Sequence, residues 1–255
     1  MLLDHQNTWD EVSQAKPDMA ILPIGTTEQQ GDHLPVGTVT LILDVVARRV
    51  AESLQGTVYL LPTMPFGTSN SHSGTPGTIA LEWHTLMSVT RDLVESLAAQ
   101  GIRRVAIITG LGGASETTVY PRENPIVKTA VRQLNYDLPA MDVIWVEPFT
   151  MAGKDLVEIL DSAYEDFHAG ELATSLLLYL SPALVKGRGV DCVPQASKTY
   201  LEYLPLPKLC PDGVWGRPSL ASAEKGRRAL EVAVRRVVEY IENSFAQLVT
   251  MKQRL

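Results

Sequence analysis

Residues 21–40 read Ile21-Leu-Pro-Ile-Gly-Thr-Thr-Glu-Gln-Gln-Gly-Asp-His-Leu-Pro-Val-Gly-Thr-Val-Thr40. An apolar run that starts at Met19 stops at Gly25. Glu28, Gln29, Gln30 and His33 follow, ahead of the rigid pair Leu34-Pro35. A short continuous apolar run is the pattern of a parallel strand buried on both faces. Beyond it, apolar residues recur at 41, 42, 45, 46, 50 and 54, the i, i+3/i+4 spacing of a helix with one buried face. Strand, polar turn and helix in that order predict an open α/β sheet, whose chemistry sits outside the carboxyl ends of its strands. A pocket is expected here.

Outward from this stretch the same alternation repeats. Thr57 to Pro65 reads as a second strand feeding a Gly/Ser-rich loop over 67–78. Leu81 to Gln100 is an amphipathic helix that Gly101 stops. Arg104 to Thr109 and Asp142 to Val146 read as further strands, with a helix over about 124–135 between them. Lys154 to Leu160, Gly170 to Leu180 and Ser219 to Leu248 read as helices. Residues 186–219 are rich in Gly and Pro and carry Tyr200, Tyr203 and Trp215. A stretch of that length without regular structure usually has a task, either over the surface or against a neighbouring subunit.

Four motifs, in order along nearly the whole chain, resemble those of the creatininase family. Glu28-Gln-Gln-Gly-Asp-His-Leu-Pro35 is similar to that family's Glu-x-His-Gly-x-His-Leu-Pro. Phe66-Gly-Thr-Ser-Asn-Ser-His72 with Thr75-Pro-Gly-Thr-Ile79, and His168-Ala-Gly-Glu171 with Thr174-Ser175, match two more. Gly213-Val-Trp-Gly216, Pro218 and Glu224-Lys-Gly226 match the fourth. The resemblance implies a three-layer α/β/α fold with a mainly parallel central sheet, one domain over 1–255, and a hexameric homo-oligomer. It also implies hydrolysis of a small cyclic amide by two divalent metals.

The metal ligands implied by the resemblance fall on Glu28, Gln30 (usually His), Val39 (usually a bridging Asp), Leu111 (usually His) and Glu171. Valine and leucine cannot ligate a metal, and zinc needs three or four protein donors. The expectation is therefore a metal-free site, with a single Zn or Mn ion, on Glu28, Glu171 and a histidine such as His33 or His168, as the alternative. The catalytic candidates are His168, the family's proton-transfer residue, assisted by Glu28 and Glu171. If those two carboxylates lie close together, repulsion raises one pKa and yields an acid/base couple. Gln30, His33, His72, Leu111, Gly112 and Trp215 are expected to contact substrate. His33 and His72 have alternative structural roles, in holding a turn and in simple loop polarity. Backbone N–H groups of Gly110 to Gly113 would stabilise an oxyanion. A non-catalytic paralogue that binds a small molecule or partners an active relative competes with this reading, as does a metal-free isomerase or lyase.

Composition narrows the partners. A net charge of −7 gives no nucleic-acid footprint. The one basic cluster, Arg227, Arg228, Arg235 and Arg236, is interspersed with glutamates and reads as a solvated or subunit-facing surface. No apolar run is long enough for a membrane span. Two cysteines and no amino-terminal signal pattern point to a reducing, cytoplasmic setting. The expected partner is a small-molecule substrate.

Overall fold

The computed structural model describes residues 1–111 and 123–252. Along the chain these form β1 (Leu2–Leu3), α1 (Trp9–Ala15), β2 (Met19–Ile24), α2 (Thr38–Ser53), β3 (Val58–Leu60), α3 (Trp83–Ala99) and β4 (Arg104–Thr109). They continue with α4 (Glu123–Asp137), β5 (Asp142–Val146), α5 (Pro148–Met151), α6 (Gly153–Val157), α7 (Glu171–Leu180), α8 (Leu206–Leu209) and α9 (Ala223–Lys252). Among the described residues the strands make one sheet in the order β1-β3-β2-β4-β5, and every pairing is parallel.

The pleat sorts the core into two layers. Ile21, Ala106, Ile108, Ile144 and Val146 pack with α2, α5, α7 and α9 on one face. Ala20, Leu22, Ile24, Val105, Ile107 and Val143 pack with α3 and α4 on the other. Because both faces are covered, β2 is buried at all six positions, which is why its sequence runs apolar without alternating. The result is the three-layer α/β/α arrangement.

The expected strand over 57–65 shrinks to Val58–Leu60 as regular pairing. Beyond it the chain keeps only single contacts with β2, from Leu61 N to Ile21 O (2.9 Å) and Met64 N to Pro23 O (3.0 Å), before the loop after β3. The first strand and helix carry no sequence periodicity. Two residues are too few, and α1 buries none of its side chains. Its capping box, Thr8 with Glu11, is the one signal present. The strand order turns about the gap between β2 and β4, with β3 on one side and β5 on the other. Ligands in open α/β sheets bind in the crevice at such a switch point.

Candidate active site

Three chain segments converge at that crevice. The segment after β2 reaches it because Gly25 packs against the start of α2. A Cβ there would lie 2.5 Å from Thr40 Oγ1 and 2.8 Å from its Cα, so a larger residue would push the strand end off the helix. The loop after β3 is pinned across this segment by Ile79 N to Thr27 O (2.9 Å) and Gln29 N to Thr78 Oγ1 (3.0 Å). The turn before α7 is fixed by Asp166, whose two carboxylate oxygens accept from Glu171 N and Leu172 N at 2.9 Å each. Within that turn Ala169 adopts φ +51°, strained for a residue with a Cβ.

These segments bring Glu28, His72 and His168 together, all buried. One ligand-type atom from each lies within 4.8 Å of the others. His72 Nε2 is 3.9 Å from Glu28 Oε2, and the His72 and His168 rings stack. Their neighbours orient them. Gln30 Nε2 donates to Glu28 Oε1 (3.0 Å) and Ser69 Oγ to Glu28 Oε2 (2.6 Å). The Gln29 side-chain amide is hydrogen-bonded to His72 Nδ1 (3.0 Å), and His168 Nε2 donates to the Gln29 carbonyl (2.8 Å). An imidazole that binds a metal characteristically donates its other ring N–H to an acceptor, as His168 does here to the Gln29 carbonyl.

Beside the cluster lies a cavity of about 20 Å³, lined by Gln30, Val39, Leu111, Asp166, His168 and Leu172 among others. That is room for one water. Burial pushes the Asp166 carboxyl up to about 6, against the pull of its two backbone hydrogen bonds.

The other sequence candidates are placed differently. Glu171 is fully buried, but its oxygens accept from Asp161 N, Ser162 N, Ser162 Oγ and, at 2.5 Å, Lys225 Nζ. It is not part of the Glu28 cluster, and its nearest charge is a cation. The expected carboxylate couple therefore does not form. His33 is buried under Gly31 and Gly189 with Nε2 2.9 Å from Thr174 Oγ1, tying the β2 segment to α7. Leu111 and Gln30 line the cavity. Trp215 holds the turn before α7 by backbone pairing with His168, N to O 2.8 Å and O to N 3.0 Å. Gly112 lies outside the described residues, as do Gly113 and any oxyanion role for them.

Residues 186–219 turn back onto the site. Gly213, at φ +71°, presses on Gln29, where a Cβ would lie 2.1 Å from Oε1. The sequence reading missed Gln29, Ser69 and Asp166, and it gave His72 a lesser part. Only the motif spacing around His72 hinted at more.

A parallel sheet with a buried carboxylate and two imidazoles at its switch point presents the donor set that divalent cations take in α/β enzymes. The chain belongs to the creatininase family, whose family model, creatinine amidohydrolase, matches residues 5–241. It is 30 % identical to the creatinine amidohydrolase of Pseudomonas putida, over 93 % of this chain and 95 % of that one. It is 31 % identical to a mycofactocin precursor peptide peptidase of Mycobacterium ulcerans (strain Agy99), over 82 % of this chain and 78 % of the relative. A solved structure described as creatininase Mn superposes with a TM-score of 0.77 at 26 % identity, covering 96 % of this chain and 99 % of that one.

The expectation of a site without a cofactor is overturned. It rested on counting ligands at the five positions taken from the family motifs, and that count omitted His72. The loop after β3 delivers this imidazole to Glu28 and His168, so three donors meet where two carboxylates had been counted. A manganese form among the structural neighbours agrees. Of the alternative ligand set, Glu28 and His168 do meet, whereas Glu171 is bound to Lys225 and His33 to Thr174.

Among the described residues no helix is long and apolar enough to cross a membrane.

Proposed function

We propose that the protein is a metal-assisted hydrolase of an amide C–N bond in a small polar, cyclic substrate of the lactam type. The observation that carries this reading is the buried Glu28–His72–His168 cluster. Three donors plus an open position match a catalytic zinc or manganese site, and His168 donates one ring N–H to the Gln29 carbonyl as such ligands do. When bound there, the ion supplies Lewis-acid polarisation of a carbonyl and a water acidic enough to attack at neutral pH.

The chain's own groups do the positioning. Ser69 and Gln30 fix both oxygens of Glu28, Gln29 fixes both imidazoles, and Val39 and Leu111 form an apolar wall that keeps bulk water from the far side. His168, expected to move protons, is assigned here to holding the ion together with Glu28 and His72, the three residues that would supply its protein donors. The likeness to a creatinine amidohydrolase over 93 % of this chain supports a small ring over a polypeptide. Family membership supports a homo-oligomer, hexameric by resemblance, and two free thiols support a reducing compartment.

The test is to load purified protein with Zn or Mn, remove excess ion, and screen lactams and short peptides for amide hydrolysis. One bound ion with ring opening of a lactam supports the reading. Protein that retains no ion after loading, or that cleaves only peptides, sinks it.

A further inference from the structure

The segment over 186–219 carries both cysteines of the chain, and they meet. Cys210 is buried at the end of α8 and Cys192 is half-buried; both are free thiols. Cys192 packs against the small apolar cluster of Cys210, Leu206 and Trp215, with Phe167 beside it. Burial pushes the Cys210 thiol up to about 12, so it is the poorer first nucleophile of the two.

Each cysteine is tied to the site by a short path. Cys192 pairs through its backbone with Gly216 (3.0 and 2.7 Å), the neighbour of Trp215, which in turn pairs with His168. The Cys210 carbonyl accepts from Gly213 N (2.9 Å), and Gly213 presses on Gln29, the residue that holds both imidazoles. Helix α8 also packs on the turn over 70–72 that carries His72.

We propose that Cys192 and Cys210 are a modification site: a low-molecular-weight disulfide such as oxidised glutathione closes them to an intramolecular disulfide that clamps this segment over the buried cluster. Cys192 loses its proton to solvent and attacks one sulfur of the oxidant, whose S–S bond breaks and releases one thiol. Cys210 then gives up its proton and attacks the Cys192 sulfur, releasing the second thiol. The protein loses two hydrogens and two electrons, and the oxidant gains them as two thiols. This chemistry does not depend on a bound ion.

The experiment treats the folded full-length protein with oxidised glutathione. Expected are the joint loss of both titratable thiols, a mass lower by two hydrogens, a Cys192–Cys210 cross-linked peptide, and a rise in Tm of roughly 5 °C, all reversed by dithiothreitol. Cys210→Ser should instead trap a stable glutathione adduct on Cys192, and Cys192→Ser should stay unmodified. A persistent glutathione adduct on the unsubstituted protein, a disulfide between two chains, or two thiols that survive the oxidant would each overturn the proposal.

Discussion

The imidazole rings of His72 and His168 stack with centroids 4.4 Å apart and planes inclined by 30°, although 95 residues of chain lie between them. One residue holds the pair, since Gln29 contacts His72 through its side chain and His168 through its carbonyl.

That arrangement predicts a graded response of ion affinity. His72→Ala removes a donor and should abolish stoichiometric Zn or Mn retention after dialysis. Gln29→Ala leaves all three donors but removes the side-chain contact at His72 Nδ1, and should weaken binding by about 10–100-fold, the usual effect of losing an outer partner. Titration calorimetry with the bare ion reads both. If ion affinity is unchanged in His72→Ala, that residue is no ligand.

Glu171 separates the structural role from the chemical one. Its fully buried carboxylate meets a lysine whose side chain is 17 % exposed. Glu171→Gln keeps the shape but loses the charge pairing and an acceptor for Ser162. Lys225 retains Asp161 and the Leu220 carbonyl, so the loss should be about 2 kcal/mol rather than the larger cost of a fully orphaned ion. Chemical denaturation should show this drop with ion content unchanged. Lost ion binding with stability intact would return Glu171 to the site.

How much of this was legible in the chain differs by level. The sheet was nearly all there to read, because strands buried on both faces, such as Met19–Ile24 and Arg104–Thr109, leave a continuous apolar run. Helices with one buried face, such as α2 and α3, leave a period. Leu2–Leu3 and α1 leave neither. For the site, motif spacing found Glu28 and His168, which sit where a strand or turn feeds a helix. It misjudged His72 and Glu171, whose roles are decided by which distant side chain each meets. Counting ligands along aligned positions ignores that a loop can supply one from elsewhere, and His72 does so. A partner such as Lys225 is invisible until α9 is packed on α7.

His33 supplies a pH signature. Burial is the main influence on its imidazole and pushes the pKa below the ordinary value, while Asp32 and a backbone contact pull less strongly the other way. In the unfolded chain the ring takes up its proton near pH 6.5, before the folded ring does. The unfolded state therefore binds more protons in the window just below pH 6.5. Stability is full above that pH and falls as pH drops through it toward the depressed folded pKa. His33→Gln cannot titrate and retains a group able to bond Thr174. Its Tm should decline less between pH 7.5 and 5 than that of the unsubstituted protein, and identical slopes would remove His33 as the source.

Gly226 sits where the backbone of α9 presses on that of α7, so it tests the packing that places Glu171 and, through the turn before α7, His168. A Cβ at Gly226 would lie 2.0 Å from the Ser175 carbonyl oxygen and 2.4 Å from its carbon. Both are main-chain atoms, which cannot rotate aside as a side-chain tip would. Alanine is the better helix former by about 1 kcal/mol, yet the helices would have to separate, at the 1–3 kcal/mol or more typical of overpacking. Gly226→Ala should therefore destabilise by roughly 2 kcal/mol despite the gain in propensity. At Gly37, where an added Cβ meets nothing within 4 Å, the same change should stay within about 1 kcal/mol. Denaturant midpoints of the two variants, compared at equal m, measure the difference. A stabilised Gly226→Ala protein would mean that the two helices do not approach this closely.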